Sequence, residues 1–167
     1  GLNPRRDTII EVGAVQFKGA EELDTFHALV NPHRELPQFV VNLTGISQHE
    51  VDAALPFGSV ATDLADFIGD LPIIGHSVAF DLAFLAEGGL DLHNVSYDTQ
   101  HMASVFLPAA RRYALSALSG VFGIDHEGAH RALADSKTCH RLFISLIDLA
   151  RQQSPAILRG LAAITHG

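Results

Sequence analysis

The feature that most restricts the fold is a change of hydrophobic period at Asn31-Pro32. Before it, residues 9–17 (IIEVGAVQF) and 25–30 (TFHALV) are rich in β-branched and aromatic side chains, and the turn-prone KGAEEL between them predicts an antiparallel hairpin. Beyond it, apolar residues recur at helical spacing over 37–43 and 56–68. Each of these stretches opens with a proline suited to a first helical turn, and the loop Thr44-Gly45-Ile46-Ser47 lies between them. Short apolar runs then alternate with helical patterns. Strands are predicted over 71–76 and 95–98, and helices over 80–87 (closed by Gly88-Gly89), 99–106, 116–122 (stopped by Gly123) and 131–151. A hairpin followed by alternating strands and helices predicts an α/β fold, a mixed sheet flanked by helices.

The chain of 167 residues is long enough for one domain with a proper core. The expected division is a domain over 1–150 and a helical extension, or the start of a following region, over 151–167. Gly1 in place of methionine and the apolar run near Gly167 lead us to expect that both ends are cuts through a longer polypeptide. Cys139 is the single cysteine, so no internal disulfide forms; a buried structural thiol and a reducing, cytoplasmic setting are expected. No run approaches the roughly 18 to 20 apolar residues of a membrane span, and no membrane partner is expected. The formal net charge of −8 argues against a protein that grips nucleic acid by charge alone. It leaves nucleic acid open as a substrate, since an acidic site can meet phosphates through divalent cations, and small basic clusters stand at Arg5-Arg6 and Arg111-Arg112.

Two segments carry candidate chemistry, GHSVAFD (75–81) and HRALAD (130–135). Asp81 sits just past a predicted parallel strand, where open α/β sheets place their ligands. Taken alone it is equally an ordinary aspartate at a helix N-terminus. His130 and Asp135 are five residues apart, about 140° around a continuous helix, so His130 is placed in the loop entering the helix and Asp135 in its first turns. With ten histidines in the chain, a lone one carries no weight; Ala132 and Ala134 beside the pair would let a helix pack closely on a sheet. Oxygen ligands suit Mg²⁺ or Mn²⁺, and two carboxylates are too few for a two-ion phosphoryl-transfer site. Zinc-hydrolase spacings, a GxSxG elbow, and Walker or Rossmann glycine patterns are absent.

Taken in order, EVGAVQF, TGIS, GHSVAFD, YDT and HRALAD resemble the signature of the DnaQ-like 3′–5′ exonucleases of the DEDDh type, on a ribonuclease H-like fold. The resemblance runs from about residue 1 to 149. It implies hydrolysis of nucleotides from a 3′ end by water activated between two divalent cations, Mg²⁺ or Mn²⁺, with four carboxylate ligands and a histidine general base. Asp81 and Asp135 match two metal ligands and His130 matches the base, whose imidazole titrates near neutrality and can be reset between turnovers. Leu2, Thr44, Gly45, His76 and Phe80 match positions that contact the terminal nucleotide. Ser77 departs from the asparagine usual after the motif histidine.

The larger departure is the absence of an Asp-x-Glu-Thr-Thr-Gly pattern, which would supply the other two carboxylates immediately before GLNPRRD. In the family fold that motif's strand is central, between the strands of residues 9–17 and 71–76. Its loss would leave backbone groups unpaired at about 1 to 3 kcal/mol each, against a total stability of roughly 5 to 15 kcal/mol. The isolated chain is therefore expected to fold poorly or to aggregate along the open edge, and to be inactive. The resemblance implies a single-stranded DNA 3′ end as substrate, with RNA as the alternative. It also implies a setting in proofreading or repair, as part of a replicative polymerase or fused ahead of a DinG-like helicase. The competing reading is a non-catalytic module on the same fold that binds nucleic acid or a partner protein.

Overall fold

The computed structural model describes residues 3–126 and 128–152. Strands β1 (Glu11–Lys18) and β2 (Glu21–Asn31) form the expected antiparallel hairpin, paired from Glu11 opposite Leu29 to Lys18 opposite Glu21 with a one-residue register shift between Gln16 and Phe17. Gly19, at φ 60°, supplies the left-handed residue that the tight turn needs. Helix α1 (Gln38–Thr44) ends at Gly45, whose φ of 71° turns the chain and whose N–H bonds the Val41 carbonyl. Ser47 then starts α2 (Gln48–Asp52) through a reciprocal capping box with Glu50. The two-residue β3 (Leu55–Pro56) pairs parallel to the end of β2 and leads into α3 (Phe57–Ile68).

Strand β4 (Ile73–Gly75) leads into α4 (Val78–Glu87), and β5 (Ser96–Asp98) pairs parallel to β4 before α5 (Thr99–Phe106). Helix α6 (Leu115–Phe122) stops at Gly123 in the left-handed conformation, and α7 (Ala132–Gln152) closes the described chain. The core lies among α5, α6 and α7, where Ala103, Phe106, Leu118, Leu142, Leu146 and Ala150 are buried together. Cys139 is buried as expected, 3.6 Å from the Thr99 hydroxyl. No helix among the described residues is long and apolar enough to cross a membrane.

The expected mixed sheet is present in two pieces, of order β1-β2-β3 and β4-β5. Among the described residues no strand lies between them. A cleft of about 840 Å³ is lined on one side by residues 9–17 and on the other by residues 71–76. Helix α7 packs against both β1 and β4 and so spans the gap. Its approach to β1 is backbone to backbone: a Cβ on Gly13 would stand 2.3 Å from the Leu133 nitrogen, and the Ser136 hydroxyl bonds the Gly13 carbonyl at 2.8 Å. Glycine is required there because α7 occupies the space of a side chain.

Candidate active site

Asp81 lies in the first turn of α4, and one side chain sets the position of that helix. The chain turns sharply at Ser77, which is held in the left-handed region (φ 63°) that favours glycine. Asp98, at the end of β5, accepts the N–H groups of Ser77 and Val78, both at 3.1 Å, and also those of Gln100 at 2.8 Å and His101 at 3.4 Å. One carboxylate thus caps the N-termini of both α4 and α5. Its signal in the sequence is an aspartate directly before a helical run, within the YDT string.

Asp81 stands in the wall of the cleft, where water reaches it although protein crowds it. That crowding, followed by the negative charges of Asp98 and Asp135, pushes its pKa up to about 6 from 3.8. His76 donates from Nε2 to the Tyr113 carbonyl at 2.7 Å, and its Nδ1 lies 2.9 Å from the Thr99 hydroxyl. Burial lowers its pKa against the opposing pull of the Tyr113 carbonyl and Asp98. Both ring nitrogens are therefore engaged by the protein, and the ring itself lines the cleft. Phe80 is exposed at the rim with its centroid 4.8 Å from that of Phe84.

Asp135 comes from the first turn of α7. Its Oδ1 accepts His126 Nε2 at 2.7 Å and, more weakly, the backbone N–H of His130 at 3.4 Å. His130 sits in the loop ahead of the helix at φ 68°. The start of α7 is held by Glu11, on β1. Its Oε2 accepts the Ala132 N–H at 2.9 Å, and its Oε1 accepts Arg131 Nε and Nη2, each at 3.0 Å, and His27 Nε2 at 2.7 Å. Neither Glu11 nor His126 was singled out from the sequence. Glu11 and Arg131 are 120 residues apart, and their only local signal is that each lies within a family motif string, EVGAVQF and HRALAD.

The cleft thus gathers Thr44, His76, Phe80, Asp81, His130 and Asp135 into one lining. Gly45 is not part of that lining; it serves as the turn that ends α1. Leu2 lies outside the described residues. Asp81 and Asp135 are hard oxygen donors, and the charge of Asp135 adds to the cost of ionising Asp81, a repulsion that a divalent cation would relieve. The donors fit such an ion in kind, yet among the described residues no group of three His, Cys, Asp or Glu side chains assembles to hold one.

Asp81, His130 and Asp135 thus line one cleft, beside the strand ends of an α/β fold, where such folds place their ligands. The model of the exonuclease family RNase_T matches residues 1–143, and the chain belongs to that family. The PolC-type DNA polymerase III of Oceanobacillus iheyensis is 34% identical over 152 residues, 88% of this chain and 11% of that protein. The 3′-5′ exonuclease DinG of Bacillus subtilis is 28% identical, over 99% of this chain and 18% of its own length. The chain therefore spans between about a tenth and a fifth of these relatives.

Among solved structures, the nuclease domain of 3′hExo, a DEDDh family member bound to rAMP, aligns at TM-score 0.71 with 25% identity, covering 84% of this chain and 81% of that one. Exonuclease X in complex with 5′ overhanging duplex DNA aligns at TM-score 0.74 with 18% identity, covering 89% and 88%. The fold is the ribonuclease H-like α/β architecture expected from the motif order.

Proposed function

We propose that this chain is the site-bearing part of a 3′–5′ exonuclease that removes nucleotides from the 3′ end of DNA in replication proofreading or repair. The observation that carries this reading is that Asp81 and the His130–Asp135 pair, from two distant stretches of a chain of the exonuclease family, line a single cleft. His130 takes the proton of the attacking water. The water oxygen bonds to phosphorus, the bond from phosphorus to the preceding nucleotide's 3′ oxygen breaks, and that oxygen leaves with a proton. Phe80, His76 and Thr44 hold the terminal nucleotide, with Phe80 exposed at the rim.

Asp81 and Asp135 would hold two divalent cations, Mg²⁺ or Mn²⁺, which when bound lower the pKa of water and offset charge developing on the scissile phosphate. His126 fixes the orientation of the Asp135 carboxylate through its 2.7 Å hydrogen bond. The cleft between β1 and β4 has the place and the apolar lining for a strand, and a strand there carrying an Asp-x-Glu pair would complete the four carboxylates. A polymerase, as in the PolC-type relatives' names, or a fused helicase supplies the remaining hold on DNA.

The test is release of nucleotides from a 3′-labelled single strand in the presence of Mg²⁺. Residues 1–167 alone are expected to release none, and the full-length protein to release them one at a time. A full-length protein that binds 3′ ends and releases nothing would replace this reading with that of a binding module.

A further inference from the structure

The start of α7 and the loop entering it carry two of the three site residues, and their placement depends on a carboxylate that none of the site roles uses. Glu11 is nearly buried, its side chain 5% exposed, and its two oxygens accept from four donors. Three of those donors belong to Arg131 and Ala132, the two residues that follow His130. The hydrogen bond to Ala132 satisfies one of the free N–H groups at the first turn of α7. The Arg131 guanidinium meets Oε1 with two nitrogens, fixing direction as well as distance. His130 is held at φ 68°, a conformation that a residue with a side chain keeps only when its surroundings enforce it.

One turn further on, Gly13 and Leu133 are in backbone contact, so β1 and α7 cannot slide to compensate for a lost anchor. Arg131 also looks the other way. After the hydroxyl and amide of Ser47, its charge helps to hold the Glu50 carboxyl below the ordinary value, so it sits beside the loop that follows Gly45.

We infer that Glu11 is a positioning residue for the exonuclease reaction: it clamps Arg131 and Ala132 so that His130 and Asp135 face the cleft together. The inference rests on the exonuclease reading above. In the full-length protein, Glu11→Gln removes the ion pair with Arg131 at almost constant volume. It should lower kcat about 10- to 100-fold, as loss of an orienting partner does at comparable sites, with KM within about twofold. Because Glu11 acts through the His130 loop, the double variant Glu11→Gln/His130→Ala should be no more than about twofold slower than His130→Ala alone.

Amide hydrogen exchange gives a readout independent of turnover. In Glu11→Ala, protection should fall at residues 130–135 and stay unchanged at Leu142 and Leu146 in the core. Losses that multiply in the double variant, an unchanged kcat in Glu11→Gln, or a loss of protection spread evenly along α7 would each overturn the inference. Absence of nucleotide release by the wild-type protein would instead overturn the exonuclease reading, and the exchange pattern would still report on the clamp.

Discussion

Replacing Asp81 by asparagine should stabilise the fold of the cation-free chain, and only where the carboxyl would be ionised. Its pKa is pushed up to about 6 in the folded chain from 3.8, so the folded state holds the proton longer than the unfolded state does. The penalty is therefore absent below about pH 4, grows as the pH rises through the folded-state value, and is complete above it. A shift of that size corresponds to about 3 kcal/mol for a dry site. Water reaches Asp81 along the open cleft, so screening reduces the realised penalty to about 1 to 1.5 kcal/mol. For a domain of this size that is about 3 to 6 °C in Tm. The assay is thermal unfolding of both proteins in EDTA, followed by circular dichroism. The Asp81→Asn minus wild-type difference at pH 8 should exceed the difference at pH 4 by that amount. If the two differences are equal, Asp81 titrates normally and the crowding argument for this carboxylate fails.

Three further outcomes follow from the geometry. Gly13→Ala puts a Cβ 2.3 Å from the Leu133 nitrogen, so α7 must move off β1; a destabilisation of about 1 to 3 kcal/mol in urea unfolding is expected, with loss of nucleotide release by the full-length protein. His130→Ala should lower kcat about 10²- to 10⁴-fold while leaving binding of a single-stranded 3′ end unchanged in a fluorescence titration. With a net charge of −8, binding of this domain to single-stranded DNA should show a shallow salt dependence, a logarithmic slope between 0 and about −2; a slope near −5 would mean many direct phosphate contacts.

The helices were legible because each carries both a period and a stop. The predicted 99–106 and observed Thr99–Phe106 coincide, and the others agree to within two residues at either end. Gly45 and Gly123 mark their ends by the left-handed conformation that glycine tolerates. Helix α2 was not anticipated, because five residues show no period, although Ser47 and Glu50 spell the capping box that starts it. Strand β3 is two residues long and exists only as a pairing with β2, which no local pattern reveals. The motif strings picked out Asp81, His130 and Asp135, which line one cleft. The groups that aim them were not legible: Asp98 acts across 20 residues and Glu11 across 120, and such partners become neighbours only when the sheet and helices have packed.

The cleft separates the residues of the site as well as the strands. Asp81 rides with β4, β5 and α4, whereas Asp135 is fixed by Glu11 and Gly13 to the hairpin half through the first turn of α7. The spacing of the two carboxylates is therefore a gauge of how far the halves stand apart. If the pair holds cations as proposed, anything that wedges the halves open or draws them together, whether an inserted strand, a partner protein or a side chain at position 13, would tune that affinity without touching either carboxylate.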